Sequence, residues 1–80
     1  MDYDQRVLGQ IIKKLRIERG LSQDVLSGLA GIGRTHLTMI ETGKKKANVE
    51  TLWRIADALN LPLSHLIKLL ENELSSKPDR

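Results

Sequence analysis

Four side chains near the middle of the chain have the types that can bind base edges in a DNA groove. An arginine can donate two hydrogen bonds to guanine, threonine hydroxyls can bond to base edges, and threonine or methionine can contact a thymine methyl group. The four residues are Arg34, Thr35, Thr38 and Met39. At 100° per residue, the threonines and the methionine point away from Leu37 and Ile40. The segment therefore predicts a helix with one buried edge and one face suited to base contacts.

Three lysines, Lys44, Lys45 and Lys46, follow this segment. The chain has 13 basic and 10 acidic residues and a net charge of +3. Between positions 34 and 46, four cations stand against Glu41 alone. A lysine run by itself is usually a solvated loop, but lysines beside a groove-binding helix neutralise phosphates without selecting a sequence. We therefore expect these lysines to contact the DNA backbone.

The residue types give no pattern for an enzyme or a metal centre. Cysteine is absent, and His36 and His65 have no metal-ligand spacing between them. Ser64 is adjacent to His65, and neighbours on a helix do not face each other. One Trp and one Tyr also offer little stacking surface for single-stranded nucleic acid. We expect no catalysis, metal, cofactor or small-molecule ligand.

The elements that position these residues are predicted to be helices throughout. Apolar residues recur at helical spacing, and the alternation typical of strands does not appear. The pattern divides into five helices joined by short turns, so the predicted fold class is all-α. Val25, Leu26 and Leu29 are expected to face inward from the second helix. One domain is expected over residues 1–74, followed by a flexible tail at 75–80.

The second and third predicted helices are short, and the tight turn Ala30-Gly31-Ile32 joins them. Two helices joined in this way are typical of a helix-turn-helix. In that motif the second helix enters the major groove, and the first crosses the DNA backbone. The predicted recognition helix spans residues 34–41.

The residue order resembles the phage-repressor family of helix-turn-helix proteins, also described as Cro-like or xenobiotic-response-element-type. The resemblance covers roughly residues 7 to 70. It rests on the run LSQDVL at 21–26, on AGI at 30–32, and on Arg34-Thr35, Leu37, Ile40-Glu41 and Gly43-Lys44. The pairs Thr51-Leu52, Ile55-Ala56 and Ala58-Leu59, with Leu63, continue it.

The resemblance implies a five-helix, lambda-repressor-like domain that binds an inverted-repeat operator as a homodimer. Such a protein would be a transcriptional regulator, a repressor or a controller protein, and this chain has the size of stand-alone members. Gln23 would brace the DNA backbone or pair with a recognition-helix residue. Thr42 and Lys44 fall where relatives meet phosphates. Arg16 and Glu41 match positions that form an ion pair in some relatives.

Two glycines depart from the family pattern. Gly33 stands where Ser or Thr usually caps the recognition helix, and Gly28 stands where an alanine-like helix former is usual. A glycine inside a helix costs roughly 1 kcal/mol relative to alanine. Both glycines are expected to make the helix-turn-helix less rigid in the absence of DNA.

A dimer interface is expected on the last two helices, because a domain of this size has little room for all their apolar residues. The candidates are Trp53, Leu66, Leu69 and Leu70. Alternatively, Trp53 covers only the junction of helices four and five. Exposed apolar patches commonly mark protein contacts. Two-fold pairing would place two recognition helices about 34 Å apart, one turn of DNA.

A second class of function shares this fold: a protein-interaction adaptor or antitoxin-like module with weak DNA binding. The two classes differ in salt dependence, since only the regulator neutralises many phosphates. The chain has no apolar run of membrane-spanning length, and its acidic start is unlike a signal peptide. A cytoplasmic, nucleoid-associated location is therefore expected.

Overall fold

The computed structural model describes residues 2–76, which form five α-helices and no strand. The helices are α1 (Gln5–Glu18), α2 (Gln23–Ala30), α3 (Arg34–Glu41), α4 (Val49–Ala58) and α5 (Leu63–Ser76). The predicted all-α class and the five-helix order are confirmed. Helix α5 includes Ser75 and Ser76, the first two residues of the segment predicted to be a flexible tail at 75–80. The Ser76 hydroxyl donates a hydrogen bond to the Glu73 carbonyl oxygen, 2.9 Å away. Residues 77–80 lie outside the described residues.

Side chains at three helix starts accept hydrogen bonds from the free backbone N–H groups of the first turn. Asp4 caps α1, Ser22 caps α2 and Asn48 caps α4. Gly33 precedes α3 and has no side chain to do the same. The start of α3 is therefore held by packing rather than by a side-chain cap.

The five helices share one apolar core. Its fully buried large side chains are Leu8, Ile12, Leu26, Leu37, Ile40, Ile55, Leu59 and Leu66. Helix α1 packs against α3 and α5, whereas α2 packs against α3 and α4. Arg19 also ties the end of α1 to the end of α4, because its Nε donates to the Leu59 carbonyl oxygen at 2.6 Å. Helix α3 is thus held between α1 and α2.

Helix α2 buries a narrower edge than expected. Leu26 is fully buried with Ala30 behind it, but Val25 and Leu29 are exposed. The prediction that Val25 and Leu29 face inward together with Leu26 was therefore wrong for Val25 and Leu29. In an eight-residue helix packed mainly on α4 and α3, Leu26 and Ala30, four positions apart, are enough to fill the contact.

Among the described residues, no helix is long and apolar enough to cross a membrane.

Candidate nucleic-acid interface

Helix α3 has one buried edge and one accessible face, as its sequence predicts. Leu37 and Ile40 are buried in the core. The accessible face consists of Arg34, Thr35, Thr38 and Met39, here called the α3 face. Arg34, Thr35 and Met39 are exposed, whereas Thr38 is half-buried. The structure therefore brings the four predicted base-contacting residues together on one surface.

The turn between α2 and α3 depends on a left-handed glycine. Gly31 has φ = 70°, a conformation that other residues adopt only with strain. It allows the N–H of Ile32 to donate to the Ser27 carbonyl oxygen at 3.0 Å, which closes the end of α2. The turn sets the angle at which α3 leaves α2.

A buried ion pair joins α1 to the last residue of α3. Arg16 Nε donates to Glu41 Oε2 at 2.7 Å, and Arg16 Nη2 donates to Glu41 Oε1 at 3.1 Å. The two side chains are only 11% and 1% exposed. Arg16 Nη1 also donates to the Leu21 carbonyl oxygen at 2.9 Å. The structure brings together the two residues expected to form this pair, and burial distinguishes it from an ordinary surface pair.

Gln23 extends this network to the α3 face. Its Nε2 donates to Glu41 Oε1 at 3.1 Å, and its Oε1 accepts a hydrogen bond from the Thr38 hydroxyl at 3.2 Å. Of the two roles implied for Gln23, the structure shows the pairing with recognition-helix residues. The DNA-backbone contact stays a prediction.

Helices α1 and α3 approach so closely that only glycine fits at position 9. A Cβ on Gly9 would collide with the Ile40 carbonyl oxygen and lie 2.6 Å from that of Glu41. Both are backbone atoms of α3 and cannot swing away. Sequence reasoning missed this residue, although a glycine inside the apolar stripe of a helix is the signal for such a contact.

The turn after α3 also rests on α1. Gly43 has φ = 77°, and a Cβ there would meet Arg6. Gln5 donates a hydrogen bond to the Gly43 carbonyl oxygen. A hydrogen bond to Asp4, together with its charge, raises the pKa of Arg6. Arg6 Nη2 lies 3.3 Å from Asp4 Oδ2, so the guanidinium beside this turn is paired with a carboxylate of its own helix start.

The lysine loop, residues 44–46, is exposed and attached to the end of α3. The backbone N–H groups of Lys44 and Lys45 both donate to the Met39 carbonyl oxygen, at 2.9 and 3.2 Å. The predicted phosphate-binding lysines therefore lie beside the α3 face. Thr42 differs, because its hydroxyl donates to the Thr38 carbonyl oxygen at 2.9 Å. Thr42 would have to exchange that bond to donate to a phosphate.

Arg34 has an acidic neighbour across the motif. Its Nε lies 3.5 Å from Asp24 Oδ1 in the first turn of α2, and both side chains are largely exposed. An exposed pair of this kind contributes less than about 1 kcal/mol to stability.

The four residues expected at the dimer interface do not share one surface. Trp53 is 58% exposed on α4. Leu69 is half-buried and lines a groove between α1 and α5 with Ile11 and Leu15. Leu66 and Leu70 are 0% and 6% exposed, so their assignment to the interface was wrong. They pack inside the protomer because α5 must cover the core facing α1 and α4.

Within residues 2–76, no group of three or more His, Asp or Glu side chains is placed to hold a metal ion.

This fold and surface define a helix-turn-helix protein. Residues 12–66 match the helix-turn-helix family, and the chain belongs to it. The chain is 38% identical over 68 residues to the ImmF control region 10 kDa protein of Bacillus phage phi105, a match covering 85% of this chain and 74% of that protein. It is 39% identical over 62 residues to the HTH-type transcriptional regulator SutR of Escherichia coli K12.

The second match covers 78% of this chain and 35% of SutR, so the chain spans about a third of that protein's length. Among solved structures, the restriction-modification controller protein C.AhdI from Aeromonas hydrophila superposes with a TM-score of 0.77. The two are 30% identical, and the match covers 79% of this chain and 96% of C.AhdI. The predicted family is confirmed, and SutR and C.AhdI are described as a transcriptional regulator and a controller protein.

Proposed function

We propose that the chain binds an inverted-repeat operator in double-stranded DNA as a homodimer, with α3 in the major groove of each half-site. One observation carries the proposal: the exposed α3 face is fixed to the core by the buried Arg16–Glu41 pair and lies beside the exposed lysine loop. A rigid helix with polar, slender side chains is suited to base contacts, and adjacent lysines are suited to phosphates.

The roles divide by chemistry. Arg34, Thr35, Thr38 and Met39 contact base edges. Lys44, Lys45 and Lys46 neutralise phosphates, with Gln23 and Thr42 at the backbone. Arg16 and Glu41 position α3. Operator binding would place the protein on the nucleoid, where it represses or controls nearby genes.

The dimer contact is proposed around Trp53. A tryptophan 58% exposed on α4 is an exposed apolar surface of the kind that protein interfaces bury. A two-fold axis near α4 would leave both α3 faces free. Leu69 lies in the groove between α1 and α5 and would join the interface only if the partner reached that groove.

Selection of bound sequences from a random pool of double-stranded DNA tests this function. The proposal predicts one recovered motif with two inverted half-sites, and sedimentation of a dimer on that DNA. Affinity for the motif should fall with log salt at a slope of about −0.9 per neutralised phosphate. Recovery of no motif, with a shallow salt slope, would contradict the proposal and favour the protein-interaction adaptor.

A further inference from the structure

The direction of one hydrogen bond on the α3 face limits which bases it can recognise. Thr38 lies one turn after Arg34 and is half-buried. Its hydroxyl has a single proton to donate and two lone pairs that can accept. The direction in which that proton points decides what the hydroxyl offers to DNA.

Both hydrogen-bond partners of the Thr38 hydroxyl within the protein are acceptors. Oγ1 lies 3.0 Å from the Arg34 carbonyl oxygen and 3.2 Å from Gln23 Oε1. The proton is therefore committed to the protein, whichever of the two it approaches. Bonding to the carbonyl four residues earlier is common for threonine in helices.

The orientation of the Gln23 amide follows from its other partner. Glu41 is held by two hydrogen bonds from Arg16, and an ionised carboxylate can only accept. Only the amide NH2 group can therefore face Glu41, which turns the amide oxygen towards Thr38. A flipped amide would place two oxygens against each other. The buried arginine thus sets the polarity of the whole chain of hydrogen bonds, as far as Thr38.

We infer that Thr38 is a specificity-determining residue whose hydroxyl only accepts hydrogen bonds from DNA. In the major groove the exocyclic amines of adenine (N6) and cytosine (N4) are donors, whereas guanine O6 and N7 and thymine O4 are acceptors. The Thr38 hydroxyl therefore favours adenine or cytosine, whose exocyclic amines lie in the major groove, and gains no hydrogen bond there from guanine or thymine. This inference rests on the proposed placement of α3 in the major groove.

The test removes the hydroxyl and the amine separately and together. The operator recovered by selection is resynthesised with single adenines replaced by purine, or single cytosines by 2-pyrimidinone, which lack the amine. We expect one such replacement in each half-site to lower the affinity of the wild-type protein about three- to tenfold, as expected for the loss of one neutral hydrogen bond. Thr38→Val should lose affinity for the unmodified operator by a similar factor, with no further loss on the modified DNA.

Two controls separate this contact from general damage. Thr38→Ser keeps the hydroxyl and should retain the wild-type response to amine removal. Thr35→Val, on the same exposed face, should leave the response at that position unchanged. Circular dichroism checks the fold of each variant. If valine does not fit beside Gln23, Thr38→Ala replaces Thr38→Val in the comparison of the unmodified and modified operators.

The outcomes distinguish this inference from the proposed function. If selection recovers no operator, the proposed function fails and the inference fails with it. If an operator is recovered but every amine removal costs the wild type and the Thr38 variant equally, Thr38 does not contact an amine and only the inference is overturned. If Thr38→Val instead caused no further loss on DNA lacking a purine N7 or a thymine O4, the hydroxyl would be donating to that acceptor, and the inference would also be overturned.

Discussion

Arg16 and Glu41 meet through two hydrogen bonds of 2.7 and 3.1 Å that join α1 to the last residue of α3. The pair is buried and spans 25 residues of sequence. The end of the recognition helix is therefore held by a directional contact in addition to the packing of Leu37 and Ile40. Two hydrogen bonds in a fixed geometry restrict rotation of α3 about its axis, which decides where its face points.

Arg16→Met should destabilise the protein by about 3–5 kcal/mol, because it leaves the Glu41 carboxylate buried without its partner. The free energy of unfolding in urea measures this. The double variant Arg16→Met/Glu41→Leu should recover much of the loss, since neither charge then remains buried. Arg54→Met, which breaks an exposed pair with Glu50, is the control and should cost less than about 1 kcal/mol. If Arg16→Met lowered the free energy of unfolding by as little as Arg54→Met does, the Arg16–Glu41 pair would not act as a buried constraint.

The two helical glycines at 9 and 28 should respond to alanine in opposite directions. Gly9→Ala should destabilise by about 1–3 kcal/mol, because its Cβ meets backbone oxygens of α3 and forces the helices apart. A Cβ on Gly28 meets nothing within 4 Å, so Gly28→Ala should stabilise by about 0.5–1 kcal/mol. Thermal unfolding of the two variants measures both effects. A stable Gly9→Ala protein would mean that α1 and α3 do not approach as closely as described.

These two glycines also show what the sequence could reveal about the fold. Helical spacing, capping residues and breaks predicted all five helices, since each of these signals is local. The approach of α1 to α3 at Gly9 is a contact between distant segments. A glycine in a helix signals either a close contact or a simple defect, and only the packed structure separates Gly9 from Gly28.

The same limit applies to the candidate site. Residue spacing alone predicts which side chains form the α3 face, because the residues opposite the buried edge of a helix must be accessible. The direction of the Gln23 amide depends on Glu41 and Arg16, which lie on other elements, and no periodicity shows it. The sequence shows that α4 and α5 carry more apolar residues than the core needs, but it does not show which of them remain exposed. The prediction therefore included Leu66 and Leu70 in the interface, although both are buried.

Neutralising a lysine in the loop should weaken binding to all DNA sequences alike. Lys45→Gln removes one phosphate contact, so the slope of log affinity against log salt should become shallower by about 0.9. Affinity for the operator and for unrelated DNA should fall by the same factor. Fluorescence anisotropy at four or five salt concentrations measures the slope. Lys13→Gln, an exposed lysine on α1, is the charge-matched control and should leave the slope unchanged.

Replacing Trp53 should separate the protomers without unfolding them. Trp53→Glu puts a charge into the proposed interface, and because the side chain is 58% exposed the protomer core is not disturbed. Sedimentation velocity should show monomers at concentrations where the wild type is dimeric, with an unchanged helical signal. Tyr3→Glu alters a second exposed aromatic residue, 51% exposed, and should stay dimeric. A dimeric Trp53→Glu protein would move the interface elsewhere.

The central claim is that the α3 face selects bases, and Arg34→Gln tests it most directly. Affinities of the wild type and this variant are measured on the selected operator and on its single-base-pair changes. We expect the variant to lose about 1–3 kcal/mol on the operator and to stop discriminating at one base pair per half-site, while the other positions keep their preferences. A uniform loss on every sequence, with all preferences intact, would show that Arg34 binds only phosphate and would contradict the account.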